Sequence, residues 1–289
     1  MFPYDLHTHS SFSDGDFNLE TLFKRATQAK LKGVVVTDHN QTEHISKALS
    51  LAKRDNLWTC QGTELTNSYR GIDIHILGYS LAFDFERLNR GIVTIQKGYN
   101  ERAEKIIKKL SKIGIEVDYQ KIRSNKPAPV IFRYDIAKAI ASHYRYSIGQ
   151  ARKLIGRLGP AWEPYGRWVP APAQAVELIH RSNGIAVLAH PGDIKRSTLT
   201  AGQVKPLVNE LIATLARRGL DGLEVCHPSH SATDRKRFSA LAERFQLVKT
   251  GGSDWHGEIH HPDIAMGQCG TTDGEFELFH RYLQKKSRQ

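Results

Sequence analysis

Apolar residues recur along this chain in two alternating rhythms. Short apolar runs of strand length are separated by stretches in which apolar positions fall three and four apart. The first spacing suits strands buried on both faces, the second helices with one buried face. Residues 4–7 read as a strand. Asn18 is a suitable N-cap for a helix in which Leu19, Leu22, Phe23 and Ala26 share one face, with Gly33 ending it. Residues 34–37 form a buried-type strand, 42–53 a second helix, and 57–63 and 72–79 two further strands.

From about Phe83 the pattern changes. A long basic helical stretch runs through Lys112, and after Pro127 and Pro129 come shorter helical pieces near 133–142 and 147–158. The Gly- and Pro-rich residues 159–166 read as a loop returning to the main body. The βα rhythm then resumes. Helices near 173–183, 203–218 and 232–244 precede strands at 185–189, 222–226 and 247–250, and a last helix covers about 275–286. About seven strands alternating with helices predict a parallel, barrel-like α/β fold. The barrel is expected from residues 1–95 and 169–289, with 96–168 as a basic helical insertion. No internal repeat or low-complexity tract interrupts it.

Composition narrows the class. With 40% hydrophobic and 25% charged residues the 289-residue chain has the balance of a soluble globular protein. No apolar run approaches the roughly 20 residues of a membrane span, and the N-terminus has no basic segment followed by an apolar stretch, so no signal peptide is expected. Cys60, Cys226 and Cys269 are isolated, without C-x-x-C spacing. That argues against a disulfide framework or thiolate zinc site and for a reducing cytoplasm. The net charge is +11, and residues 97–168 hold 16 Lys and Arg against 6 Asp and Glu, so nearly all of the excess lies in the insertion. Such a wall attracts phosphates if it stands beside a phosphate-processing site.

The candidate chemistry is positional. In a βα barrel, catalytic groups gather at the carboxyl ends of the strands. His7, His9 and Asp14 follow the first strand, Asp38 and His39 end the second, Glu64 ends the third, and His75 lies within the next. His190 ends the strand after the insertion, Glu224 and His227 flank the end of the following one, and Asp254 and His256 close the series. In an extended strand His7 and His9 point the same way, so both imidazoles can reach one ion. Imidazole with carboxylate suits zinc, iron or manganese. His44, His143, His180 and His280 fall outside the series and read as exposed or internally satisfied. The chain has no G-x-S-x-G, no activated cysteine signature, and no P-loop or dinucleotide fingerprint.

The motifs Asp5-Leu6-His7-Thr8-His9, Ser13-Asp14-Gly15, Val36-Thr37-Asp38-His39, Gly62-Thr63-Glu64, His75-Ile76-Leu77-Gly78-Tyr79, Ala189-His190-Pro191-Gly192 and Gly252-Ser253-Asp254-Trp255-His256 together resemble the PHP (polymerase and histidinol phosphatase) family of metal-dependent phosphoesterases. Within it, the chain is most similar to stand-alone bacterial 3′,5′-nucleoside bisphosphate phosphatases and 5′-to-3′ exoribonucleases, which carry a helical insertion at this position. The resemblance implies a distorted seven-stranded (β/α) barrel, TIM-like, that holds a cluster of two to three divalent ions (Mn, Fe or Zn) on His7, His9, Asp14, His39, Glu64, His75, His190, Asp254 and His256, with Glu64 bridging. All nine positions carry the expected residue type. Asp38 fits better as a partner orienting a ligating histidine. His227 touches substrate or packs, and is not counted a ligand. Such ions lower the pKa of bound water and neutralise phosphoryl oxygens, so hydroxide on the metal serves as nucleophile and no protein nucleophile is required.

The resemblance also places Arg133 at the arginine of an Arg-Pro-His motif that contacts substrate phosphate. Here the motif is Arg133-Tyr134-Asp135, so proline and histidine are absent, and an aspartate there repels a second phosphate unless it is turned away. Arg167 and Lys195-Arg196 are further phosphate candidates. The expected substrate is a phosphorylated small molecule, a nucleotide, with short RNA as an extension. No membrane and no obligate protein partner is implied. The alternatives are histidinol-phosphate phosphatase and a metal-bound, non-catalytic nucleic-acid-binding module.

Overall fold

The computed structural model describes residues 1–196 and 201–287. Its first elements are β1 (Tyr4–Thr8), α1 (Leu19–Gln28), β2 (Gly33–Val36) and α2 (Ile45–Arg54). A hairpin follows, β3 (Gln61–Tyr69) and β4 (Ile72–Ser80), and then α3 (Phe85–Ser111), α4 (Tyr119–Ser124), α5 (Arg133–His143) and α6 (Ile148–Ile155). The βα succession returns with α7 (Pro172–Arg181), β5 (Ile185–Leu188), a 3-10 turn (Pro191–Arg196), α8 (Ala201–Arg217), β6 (Gly222–Cys226), α9 (Ala232–Arg244), β7 (Val248–Gly251) and α10 (Asp273–Lys286).

The expected α/β architecture is present, but the strands do not close into one seven-stranded barrel. They form two sheets, β1-β2 and β3-β4-β5-β6-β7, and β4 runs antiparallel to both of its neighbours. Single bridges stitch the seams, Thr8 to Trp255 and His39 to Glu64. The ladders stop there because β1 and β2 are short and the chain turns outward beyond them and beyond β7, through positive φ at Asn40 (51°) and Asp254 (52°). Both seams open at the end of the fold that carries the histidines.

The third strand also differs from its expected span. The apolar segment at 57–60 makes only one isolated bridge, Gly33 to Trp58, whereas the polar run through Tyr69 pairs with β4 over nine residues. A turn at Arg70 and Gly71, both at positive φ, joins the two. Glu64 therefore sits inside a strand rather than at its end. Gly33 opens β2 instead of closing α1, which ends at Gln28 with Asn18 capping its start. α2 starts at Ile45, later than expected, and the short α4 is an element the sequence pattern did not reveal.

Leu6, Val35, Leu77, Tyr79, Ile185 and Val187 fill the interior between the sheets, and Phe276, Phe279 and Leu283 of α10 plug its floor. α3 runs unbroken through residue 96. Its first turns pack Leu88 and Ile92 on α7, while Ala103, Ile106 and Leu110 join Ile136, Ile140 and Ile155 in a separate cluster under the insertion. Trp168 lies on Gly98, where an added Cβ would meet the indole at 2.0 Å, so only glycine admits this crossing.

Candidate metal centre and substrate cavity

All nine sequence-expected donors converge at the sheet seams. His7 and His9 leave β1 on one side, fully buried, with their Nε2 atoms 3.1 Å apart. Gly252 allows this approach, because a Cβ there would meet the His7 Cβ at 2.3 Å. The donors form three overlapping groups: His9, Asp14, His39 and His256; His7, His9, Glu64 and Asp254; and His39, Glu64 and His75, which His190 joins. Glu64 is central. Its Oε2 lies 3.2 Å from His7, 3.1 Å from His9 and 3.2 Å from His39, and its Oε1 3.0 Å from His75 and 3.1 Å from His190. Asp254 Oδ1 is 3.3 Å from His7 and 3.1 Å from His9, and Asp14 Oδ1 is 3.3 Å from His256.

These separations fit ions. With bonds of 2.0–2.2 Å, donors sharing a metal stand about 3.0–3.5 Å apart. Hydrogen bonds alone do not explain the packing: one N–H at His7 Nε2 cannot serve His9, Glu64 and Asp254 together. Asp14 Oδ1 and His39 Nδ1 are buried without a hydrogen-bond partner among the described residues, the condition of an atom reserved for a ligand. The backbone is strained at two donors, with φ 24° at His190 and 52° at Asp254, a feature that concentrates at functional sites.

Electrostatics point the same way. Burial alone would raise the Glu64, Asp14 and Asp254 carboxyls, but the imidazoles around them hold all three well below the ordinary range. Burial depresses His39 to about 4, leaving it neutral. Burial also opposes charge on His9 and His190, yet Asp254 and Glu64 lift His9 to about 10 and Glu64 lifts His190 to about 9. Without ions, the three carboxylates thus gather protons on their histidines. Metal binding displaces those protons.

Surrounding groups fix the donors. Glu224, fully buried, accepts from His7 Nδ1 (3.1 Å) and from the His190 backbone N–H (2.7 Å), turning the His7 Nε2 lone pair toward the cluster. Asp38 acts at one remove. It accepts from Ser10 and from the Ser13 hydroxyl at 2.5 Å, and Ser13 in turn lies 3.3 Å from His9 Nδ1. His227 packs beside the centre with Nε2 3.5 Å from Asp254 Oδ2.

Above the donors lies a cavity of about 610 Å³ whose floor includes Asp14, His39, His75 and His190. Its walls carry Arg133, Arg152 and Arg157 with Tyr99, Phe132, Trp162 and Tyr165. Arg133 lines this cavity and sits over the Trp162 ring at 5.4 Å. Asp135 is not in the wall. It is buried at the start of α5, accepting from Phe132 N–H and from Lys126 Nζ, both at 2.8 Å, so the anticipated repulsion of phosphate is absent. Arg167 is exposed and does not line the cavity, while its neighbour Trp168 packs on Gly98 and Tyr99 of α3. The side chains of Lys195 and Arg196 lie outside the described residues. Arg152, Arg157, Tyr99, Trp162 and Tyr165 went unnoticed in the sequence, where an arginine on a basic helix gives no sign of its direction; the Gly156–Gly159 glycine pair around Arg157 was the one available cue.

A sequence profile of the PHP domain matches residues 5–155. The chain is 28% identical over 261 residues to a phosphoribosyl 1,2-cyclic phosphate 1,2-diphosphodiesterase of Eggerthella lenta, covering 88% of this chain and 94% of that one. It is 28% identical to the 5′-3′ exoribonuclease Rnm of Escherichia coli (88% and 85% covered) and to a 3′,5′-nucleoside bisphosphate phosphatase of Chromobacterium violaceum (89% and 88%). A crystal structure from Bifidobacterium adolescentis superposes with a TM-score of 0.85 at 24% identity, covering 98% of this chain and 96% of the other, and so shares the fold. With the profile matched over more than half its length, the chain belongs to the PHP domain family.

Proposed function

We propose that this protein is a metal-dependent phosphoesterase that hydrolyses phosphate esters of nucleotides, in the manner of the bisphosphate phosphatases and with short 5′-phosphorylated RNA as a further substrate. The observation that carries it is the cavity itself: nine metal-type donors form or underlie its floor, and three arginines and four aromatic rings stand in its walls. Its size suits a small ligand such as a nucleotide. The division proposed is an α/β body at 1–95 and 169–289 with 96–168 as substrate cap, α3 running across the first boundary.

His7, His9, Glu64 and Asp254 would hold one ion, His9, Asp14, His39 and His256 a second, and Glu64, His39, His75 and His190 a third. Bound divalent cations supply an activated water and neutralise charge on the phosphoryl oxygens. The chain's own part is to hold and orient. Glu224 keeps a proton on His7 Nδ1. Arg133, braced on Trp162, is placed to bind a phosphate oxygen, with Arg152 and Arg157 on the same wall. Tyr99, Phe132 and Tyr165 keep water from one side and offer faces to a nucleobase.

A Mn²⁺-supplemented screen tests this. Nucleoside 3′,5′-bisphosphates, 5′-phosphorylated oligoribonucleotides, phosphoribosyl 1,2-cyclic phosphate and histidinol phosphate are compared by kcat/KM. A nucleotide or oligonucleotide is expected to lead. Preference for histidinol phosphate, or no turnover of any ester, overturns the assignment.

A further inference from the structure

Arg133-Tyr134-Asp135 stands where the resemblance calls for Arg-Pro-His; its second side chain reaches the loop that carries Asp14 directly, and its third is linked to that loop through Lys126. The Tyr134 hydroxyl donates to Asp16 Oδ1 at 2.6 Å. Asp16 Oδ2 accepts from the backbone N–H groups of Ile259 and His260, both at 2.8 Å, and Asp16 N–H donates to the His256 carbonyl at 2.7 Å. His260 closes the circuit, since its Nδ1–H donates to the Asp14 carbonyl at 2.9 Å while its ring stacks on Tyr134 at 3.8 Å. Gly257, at φ 101°, leaves the space that the Asp16 carboxylate fills; a Cβ there would lie 2.4 Å from Oδ2. Beside this circuit, Lys126 joins Asp135 to the Ser13 carbonyl.

Asp14 and His256 belong to one of the three donor groups, and they come from segments 242 residues apart in sequence. Neither segment is in a regular element. Their spacing therefore depends on what spans them: His260 through its bond to the Asp14 carbonyl, and Asp16, whose other oxygen is held by the insertion. We infer that Tyr134 is a positioning residue: through Asp16 it sets the distance between Asp14 and His256, so the helical insertion tunes the ion held by His9, Asp14, His39 and His256 and leaves the other positions alone. This rests on reading the cluster as a metal centre.

The test is Mn²⁺ binding to chelator-stripped protein, followed by equilibrium dialysis with elemental analysis, so that bound ions per chain are counted without reference to turnover. Tyr134→Phe keeps the ring stacked on His260 and removes only the bond to Asp16. Its binding curve is expected to lose one ion per chain by about 10- to 100-fold in affinity, the usual effect of losing an outer hydrogen-bond partner, while the remaining ions bind as in the wild type. Asp16→Asn is expected to weaken the same ion, and the double variant to be no worse than the poorer single one, because both act on one path. Curves for both single variants that superpose on wild type, or that weaken every ion equally, overturn the inference. Wild-type protein that binds no Mn²⁺ overturns the metal-centre reading as well, so the two failures are told apart.

Discussion

Glu224 offers the sharpest test of how the centre is built. It is fully buried, holds His7 through a side-chain bond of 3.1 Å and the His190 backbone N–H at 2.7 Å, and so ties donors from two strands to one carboxylate. Glu224→Ala removes a charged acceptor, where such bonds contribute about 1.5–3 kcal/mol, and strands a buried N–H at a further cost of about 1–3 kcal/mol. A destabilisation of roughly 3–5 kcal/mol follows for the metal-free protein. With an unfolding entropy near 2.1 cal/mol/K per residue, the chain carries about 0.6 kcal/mol per kelvin, so Tm falls by about 5–8 °C. Glu224→Gln keeps a neutral acceptor for His190 and is expected to lose only about half of that. Mn²⁺ affinity drops by about 10- to 100-fold in both, because His7 loses the partner that fixes its tautomer. Thermal unfolding by circular dichroism in chelator, with calorimetric Mn²⁺ titration, measures each part. A Glu224→Ala protein with wild-type Tm and wild-type Mn²⁺ affinity would show that the carboxylate positions nothing.

Three further outcomes are expected. Asp254→Ala and His9→Ala abolish phosphatase activity while far-UV circular dichroism stays native, and full activity in either sinks the metal assignment. Arg133→Ala raises KM for nucleotide far more than for a small aryl phosphate, while Arg167→Ala, at an exposed position outside the cavity, changes neither by more than about twofold; equal effects of Arg133→Ala on both substrates would remove it from recognition. Metal-free protein loses stability as pH rises: folded His9 and His190 hold protons to about 10 and 9 against an ordinary value near 6.5, so their contribution is complete below pH 6.5 and is lost as pH climbs through 9–10. Chemical denaturation in chelator across pH 6–10 checks this, and a flat profile contradicts it.

The convergence of the nine candidate donors was legible in the sequence because imidazole and carboxylate recurring at or near successive strands have few other uses, although Glu64 and His75 lie inside their strands. Glu64 was found by its motif although its predicted strand was misplaced. The true strand runs on through Thr66, Asn67 and Ser68, polar residues that a hydrophobic pattern assigns to a loop, and only pairing with β4 reveals it. The seams between the two sheets were invisible for a related reason. A ladder that ends after one bridge differs from a continuous one in backbone geometry at Asn40 and Asp254, not in side-chain type. The cavity walls were the least legible. Asp135, a carboxylate beside the key arginine, reads in sequence as a hazard to phosphate, and only the capping geometry of α5 and the reach of Lys126 turn it away.

Charge accounting joins the two halves of the molecule. The centre holds four carboxylates, Asp14, Glu64, Asp254 and the His7 partner Glu224, and without metal their charge is offset in part by protons on His7, His9 and His190. Two divalent ions would displace those protons and match the four carboxylates, and a third would leave an excess of two, so the floor becomes positive only when it is fully loaded. The wall carries three arginines, Arg133, Arg152 and Arg157, against two carboxylates, Asp73 and Asp193, and no proposed ion is held there. Phosphate is thus drawn to the wall of the metal-free protein but pulled down to the floor only in the loaded one. Inorganic phosphate should accordingly bind the stripped protein with an affinity that Arg133→Ala weakens and Asp254→Ala does not, whereas in the Mn²⁺-loaded protein both substitutions weaken it. Equal sensitivity to Asp254→Ala in the two states would mean that floor and wall do not act as separate phosphate sites.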